Sequence, residues 1–292
     1  MLKSSFVAIA ALASLNVTLG AVIRTTINGR SVTTIVGGSV GDINMSYGNI
    51  EFLPNGSVRR SDGLSITGFT GNNMIRGNGV ATREERACEP FSSIRLEGSI
   101  QVELTTGDSF KCQVTGDGNL VEHVIAEVIN DELVLSVRNG VSFTTVNELK
   151  ALVQVPENGR GLQRMIIKGS GSLRCSDQLS VDTLELRARG SGDFLGTFHC
   201  QNLNLKLTGS GEVSLSGTCK NLEAHLSGGG DLQADNLIAE NVSISSSGSG
   251  DAQIHAKARL DVDSSGTGDI KYRGNPGQKS IYKTGCGSVK PH

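Results

Sequence analysis

Five acidic side chains recur at one phase of a repeating pattern. They are Asp193, Glu212, Asp231, Asp251 and Asp269, spaced 19, 19, 20 and 18 residues apart. If each repeat is one turn of a coil, these carboxylates stack in a file with a pitch of about 4.8 Å. Neighbouring charges at that distance repel by ~1 kcal/mol in a water-like dielectric, and by more if desolvated. Two arrangements relieve the repulsion. Calcium between successive turns is one, because it takes roughly six to eight oxygens from carboxylates and carbonyls. The other has each carboxylate cap N–H groups of its own turn, which needs no ligand. The nonapeptide pattern of glycine-rich calcium rolls is absent.

Other reactive groups are less concentrated. Ser170, Ser191, Ser210, Ser249 and Thr267 share a second phase, and Arg187, Lys206 and His225 a third. Together these two files could contact an anionic partner, although a solvated strand face is the ordinary use of such residues. His123, His199, His225 and His255 fall at unrelated offsets, which suggests neither a metal cluster nor a triad. Many β-helices act on polysaccharides, so an enzyme is the rival class. Such chemistry needs one pair of acids at a set separation, in a groove walled by long loops. A repeated file of acids without long loops does not fit it, and no enzymatic activity is expected.

The element that must position these files is a glycine triplet. It appears as Gly169-Ser170-Gly171, Gly190-Ser191-Gly192, Gly209-Ser210-Gly211, Gly228-Gly229-Gly230, Gly248-Ser249-Gly250, Gly266-Thr267-Gly268 and Gly285-Cys286-Gly287. Both flanks alternate apolar and polar with period two, which is strand periodicity. Four residues before the triplet stand Met165, Leu186, Leu205, Ala224, Ile244, Val262 and Ile281. Four residues after its first glycine stand Leu173, Phe194, Val213, Leu232, Ala252, Ile270 and Val289. Glycine suits the turn because it reaches positive φ and admits close backbone approach. No proline occurs between Pro156 and Pro276, as an unbroken hydrogen-bond ladder requires. The helical stretches and asparagine pattern of leucine-rich repeats are missing. The pattern predicts an all-β, right-handed parallel β-helix with rungs of about 19 residues.

The remaining chain divides into an apolar leader and two further blocks. Residues 1–20 read as a signal peptide, with Lys3, the apolar run Phe6–Leu15 and a cleavage site before Ala21; Ala11-Leu12-Ala13 is a second candidate. Residues 21–87 are rich in Gly, Asn and Ser and end in a charged linker, Thr82–Arg86. Strand-like pieces in it are 31–36 and 63–67. Residues 88–160 alternate without the triplet and are expected to cap the coil of 161–290, with Ile94 to Leu104 forming a hairpin-like pair around Gly98. Leu120–Ile129 fits a helix or a strand. A net charge of −2, no Trp, three Tyr and eight Phe argue against nucleic acid as a partner, and the scarcity of aromatics argues against sugar recognition on broad aromatic platforms. No run reaches the ~20 apolar residues of a membrane span. In an exported chain the six cysteines are candidates for pairing. Cys200 and Cys219 share one phase of consecutive repeats and are predicted to bridge, with Cys88–Cys112 a second pair. Asn44, Asn55 and Asn241 are glycosylation sequons.

The strand Phe91-Ser92-Ser93-Ile94, the turn Gly116-Asp117-Gly118-Asn119-Leu120 and the run of Gly-Ser-Gly-Asp units together resemble the head GIN domain of auto-transporter adhesins, over about residues 88–290. That resemblance implies a β-helical extracellular module with an adhesive role and no catalytic residues. The Gly-Gly-Gly triplet and Cys286 depart from the pattern. With no barrel after His292, attachment through one is not expected. The sequence therefore predicts a secreted or cell-surface binding module without a cofactor, calcium apart. Its expected partner is a cell-surface or matrix component, glycan or protein, and self-association is a further expectation. The alternatives are a polysaccharide-acting enzyme and a structural coat.

Overall fold

The computed structural model describes residues 74–138 and 140–292, and upstream of them only the backbone of five short strands. The signal peptide, Asn44 and Asn55 lie outside the described residues. Residues 1–75 and 140–143 group as one unit, and residues 76–139 and 144–292 as another. In the first, Thr26–Ile27 pairs antiparallel with Arg30–Ser31, and Ile50–Phe52, Val58–Arg60 and Ser65–Ile66 form a small antiparallel sheet.

The second unit is a β-solenoid of about 7 turns of ~19 residues. Its long strands Ser172–Gly190, Phe194–Leu207, Val213–Leu226, Leu232–Ser246 and Ala252–Ser264 each run from one triplet around to the next. Neighbouring strands pair in parallel, so residues of equal phase stack. Phe194, Val213, Leu232, Ala252, Ile270 and Val289 form one such stack, and Leu184, Leu203, Leu222, Val242 and Leu260 another. Those before the last turn are buried, each large aliphatic contributing roughly 1.5–3 kcal/mol. A third inward stack, Leu179, Phe198, Gly217 and Leu237, lies on another side of the core, with Val181, Cys200, Cys219, Ala239 and Ala256 stacked beside it. Phe198 stacks on Phe194 with ring centroids 6.0 Å apart.

The repeat length varies, and the structure absorbs the variation in one place. Register shifts fall between Arg174 and Gln178, Ser214 and Ser216, Ala234 and Ile238, and Ala239 and Asn241. All lie beyond the strand that follows the triplet. The strand that precedes it never slips: 93–98, 164–169, 183–188, 202–207, 221–226, 241–246, 259–264 and 278–283 stay in step.

Close approach, more than positive φ, explains the triplet glycines. Only Gly169 and Gly190 among them have positive φ, at 113° and 114°, as does Gly98 in the preceding coil, at 99°. A Cβ on Gly209 would lie 1.8 Å from the Gly190 carbonyl oxygen, and one on Gly228 2.0 Å from that of Gly209. The ladder continues through the turn, with the Ser210 N–H donating to Gly190 O at 2.7 Å and the Ser249 N–H to Gly228 O at 3.0 Å. Ile100 occupies the third position of the first coil and is buried. It fits because the coil on its outer side carries no triplet.

The N-terminal end corrects two expectations and decides a third that the sequence leaves open. Ser93–Gly98 and Gln101–Gly107 are not a hairpin: they form two sides of a first coil, paired in parallel with 164–169 and 172–175. Gly98-Ser99-Ile100 is its turn. Outside this coil lie Glu132–Val137 and Lys150–Pro156, also parallel. Pairing then switches to antiparallel, with Val124–Ile129 on one side and Lys111–Asp117 followed by Ala81–Arg86 on the other. The charged stretch read as a linker is therefore an edge strand, and its charges discourage pairing with another chain. Residues 118–129 contain both a helical turn, Gly118–Val121, and a strand. Cys88 and Cys112 form a disulfide in this cap.

Asp117, fully buried, holds the cap loops. Its carboxylate accepts N–H groups of Gly79 at 3.0 Å and Val146 at 2.8 Å, and the backbone and side-chain N–H groups of Asn147. Burial opposes its charge, but these donors outweigh burial and hold the carboxyl below its ordinary value.

Two outcomes follow from this packing. Gly228→Ala should lower stability by about 1–3 kcal/mol through overpacking. Gly229→Ala, whose Cβ would meet only the hydroxyls of Ser249 at 3.5 Å and Ser210 at 3.9 Å, should stay within about 0.5 kcal/mol in urea titrations. A depressed carboxyl stabilises fully above its unfolded value and loses that contribution as pH falls through the native one. Amide exchange at Gly79, Val146 and Asn147 should therefore accelerate on acidification below 3.8, beyond the intrinsic pH dependence of exchange. Asp117→Asn should exchange fast already at neutral pH and lack that acid step.

Candidate functional site

Alternation along each strand sends every second side chain outward, and the unbroken stacking lines those side chains into files. In the acid file, Asp193 Oδ1 accepts the N–H of Glu212 at 2.9 Å, and Asp231 Oδ1 that of Asp251 at 2.8 Å. Asp251 Oδ1 accepts the N–H of Asp269 at 2.8 Å, and Asp269 Oδ1 that of Ser288 at 2.7 Å. The carboxylates thus cap the next coil rather than their own turn, because an aspartate side chain spans one coil pitch. The Ser288 N–H holds the Asp269 carboxyl below its ordinary value. Glu212, one methylene longer, accepts instead from Ser214 Oγ at 3.1 Å. Each such bond contributes on the order of 1 kcal/mol, enough to offset the repulsion between neighbours. Among the described residues no three His, Cys, Asp or Glu side chains gather as metal ligands do.

An asparagine file was not apparent from the sequence. Asn202 Nδ2 donates to Thr183 Oγ1 at 3.2 Å, Asn221 to Asn202 Oδ1 at 2.8 Å and Asn241 to Asn221 Oδ1 at 2.9 Å. The signal was present as an Asn-Leu or Asn-Val pair seven residues before successive triplets. The sequon residue Asn241 thus stands half-buried, with the Nδ2 that would carry a glycan engaged in the file. A hydroxyl file, Thr208, Ser247 and Ser265, reaches the carbonyls of the preceding coil at 3.4–3.5 Å. Ser170, Ser191, Ser210, Ser249 and Thr267 are exposed at the turn centres.

Arg187, Lys206 and His225 stack in one file, as their phase required. Arg187 pairs with Glu185, and His225 Nε2 lies 3.2 Å from Glu223. Lys206 makes no ion pair among the described residues. The histidines do not converge: His123 is in the cap, and His199 bonds Thr218 Oγ1 through Nδ1 at 2.6 Å. Register shifts do place His255 in the file of His199, three coils away, which counting offsets had hidden. Cys200 and Cys219 oppose each other in register but are free buried thiols, not the predicted bridge. Parallel in-register neighbours keep their Cβ atoms about one coil pitch apart, wider than the ~3.8 Å of a disulfide. The adjacent Cys200 sulfur and burial push the Cys219 thiol up, and burial alone pushes Cys175 to about 12. Cys286 is exposed.

The acid file behaves here as a structural clamp, so Asp251→Ala should lower stability by about 1 kcal/mol through the orphaned Asp269 N–H. The loss should be equal in calcium and in chelator when melting is followed by circular dichroism. A calcium-dependent difference would assign the file to an ion instead.

Residues 90–276 match the family described as "putative auto-transporter adhesin, head GIN domain". A "putative adhesin" from Bacteroides fragilis is 26% identical and superposes over 75% of this chain and 100% of its own, with a TM-score of 0.67. A "putative lipid binding protein" from Parabacteroides distasonis gives 23%, 75%, 100% and 0.61 on the same measures. A "putative adhesin" from Parabacteroides distasonis gives 20%, 75%, 100% and 0.58. The last two speak for the fold alone. No curated protein matches in sequence. No helix among the described residues is long and apolar enough to cross a membrane. With the match spanning well over half of the chain, and the stacked coils in place, this chain belongs to the head GIN domain family of auto-transporter adhesins.

Proposed function

We propose that the chain is an exported, non-catalytic adhesive module that acts by display. The observation that carries this reading is the strand before the triplet, which stays in step through every coil while repeat-length differences are absorbed elsewhere. A regular, in-register face is what a binding surface needs and what a catalytic cleft does not. The polar groups run in parallel files and do not point to one reacting atom. Export is supported by the apolar leader and by the Cys88–Cys112 disulfide, which belongs to an oxidising compartment. The partner is a cell-surface or matrix component.

Fluorescently labelled full chain should bind intact cells or extracellular matrix saturably, with competition by unlabelled protein. It should release no product from a panel of uronate and neutral polysaccharides. Product release, or binding that never saturates, would refute the display reading.

A further inference from the structure

The face before the triplet is electrically uneven along the coil, and the two ends carry different chemistry. From the file position of Glu132 to that of Lys206, its outward positions hold Arg95, Arg164, Lys168, Arg187, Arg189 and Lys206 against Glu97, Glu132 and Glu185. This is a surplus of three positive charges on a chain whose net charge is −2. Further along, the same face carries Glu223 and His225, then Ser243, Ser245 and Ser247, then Asp261, paired with Arg259, and Asp263. The boundary falls directly after Lys206.

Within the cationic part the carboxylates are already committed. Glu97 Oε1 takes Arg95 and Lys168, each at 3.1 Å. Glu132 takes Arg95 at 2.9 Å, and Glu185 takes Arg164 at 2.8 Å and also Arg187. These pairs hold their side chains flat on the sheet. Arg189 and Lys206, both exposed, make no ion pair among the described residues. Around them lie Asn204 and Ser191, exposed, and Thr208, half-buried, all short polar groups suited to hydroxyls.

We infer that this face, with Arg189 and Lys206 as its unpaired cations, binds an acidic polysaccharide lying across the strands. The inference rests on the display reading and names the class of partner. Charge complementarity supplies the attraction, and the in-register strand face accepts an extended chain without a pocket. A membrane fits less well, because the apolar residues that share the file of Arg95, namely Val134 and Ile166, are buried and half-buried and cannot insert. Single-stranded nucleic acid fits less well too, because no aromatic side chain stands on the patch for bases to stack on.

The test uses the immobilised full chain and four soluble probes: polygalacturonate, neutral dextran, phosphatidylserine vesicles and poly(dT). Polygalacturonate should bind, weaken as salt rises, and bind at least about tenfold more weakly to Arg189→Glu/Lys206→Glu. Lys271→Glu/Lys290→Glu, which reverses two cations on the strand after the triplet, should leave binding unchanged. Unchanged melting of both variants excludes misfolding as the cause. Equal binding of dextran, preference for vesicles or poly(dT), or indifference to the Arg189/Lys206 reversal would overturn the inference. Cell or matrix binding that persists while polygalacturonate fails would sink the polysaccharide and leave the display reading standing. Loss of all saturable binding would sink both.

Discussion

The approach of one glycine turn to the carbonyl of the turn before it is the constraint on which the rest of the structure depends. At about 2 Å from a neighbouring oxygen there is no room for any Cβ, so the triplet tolerates only glycine at its two outer positions. In return, the parallel hydrogen-bond ladder runs through the turn without interruption. A ladder that does not break at the turn fixes the phase of both flanking strands. Every inward stack and outward file then follows from the alternation of strand side chains. The middle position of the triplet faces solvent, which is why serine, threonine, glycine and cysteine all occur there.

This dependence also explains what was legible in the sequence. The seven triplets and the alternating flanks were visible because period and alternation are local signals that stacking amplifies. The first coil was hidden because Ile100 replaces its third glycine, and a one-sided neighbour is what lets it do so. The third inward stack, with Phe198 and Leu237, was hidden for another reason. Residues beyond the register shifts lose constant offset from the triplet, so counting no longer aligns them. Asp117 read as a turn residue, since nothing local reveals that a carboxylate will be buried against N–H groups from two distant loops. The cysteine pair failed on geometry finer than phase. Sharing a file brings two residues to one coil pitch, and a disulfide needs less than that.

The same files divide into those that hold the coil together and those that remain free. Acids after the triplet and asparagines at the far corner spend their hydrogen bonds on the next coil, one on backbone N–H groups and the other on its own kind. They convert exposed positions into vertical clamps, which matters in a protein whose core is one side chain thick. Adjacent coils are joined by such polar bonds as well as by burial, so the thin core does not have to supply all of the cohesion.

The strand before the triplet joins neighbouring coils through side-chain ion pairs at its cationic end, and beyond Lys206 its outward residues are freer to vary. Substitutions on a solvated strand face that leave the ladder intact usually change stability by less than about 0.5 kcal/mol. Arginine and lysine can therefore occupy one end of this face and serine and aspartate the other, on identical backbone geometry. Insertions cannot disturb the arrangement, because the register shifts that absorb them lie on the other sides of the coil. The fold thus separates the residues that set its shape from those that set its surface chemistry. The cap extends the separation to the end of the stack, where an antiparallel, charged strand stops the coil from pairing with another chain by its edge and leaves recognition to the face.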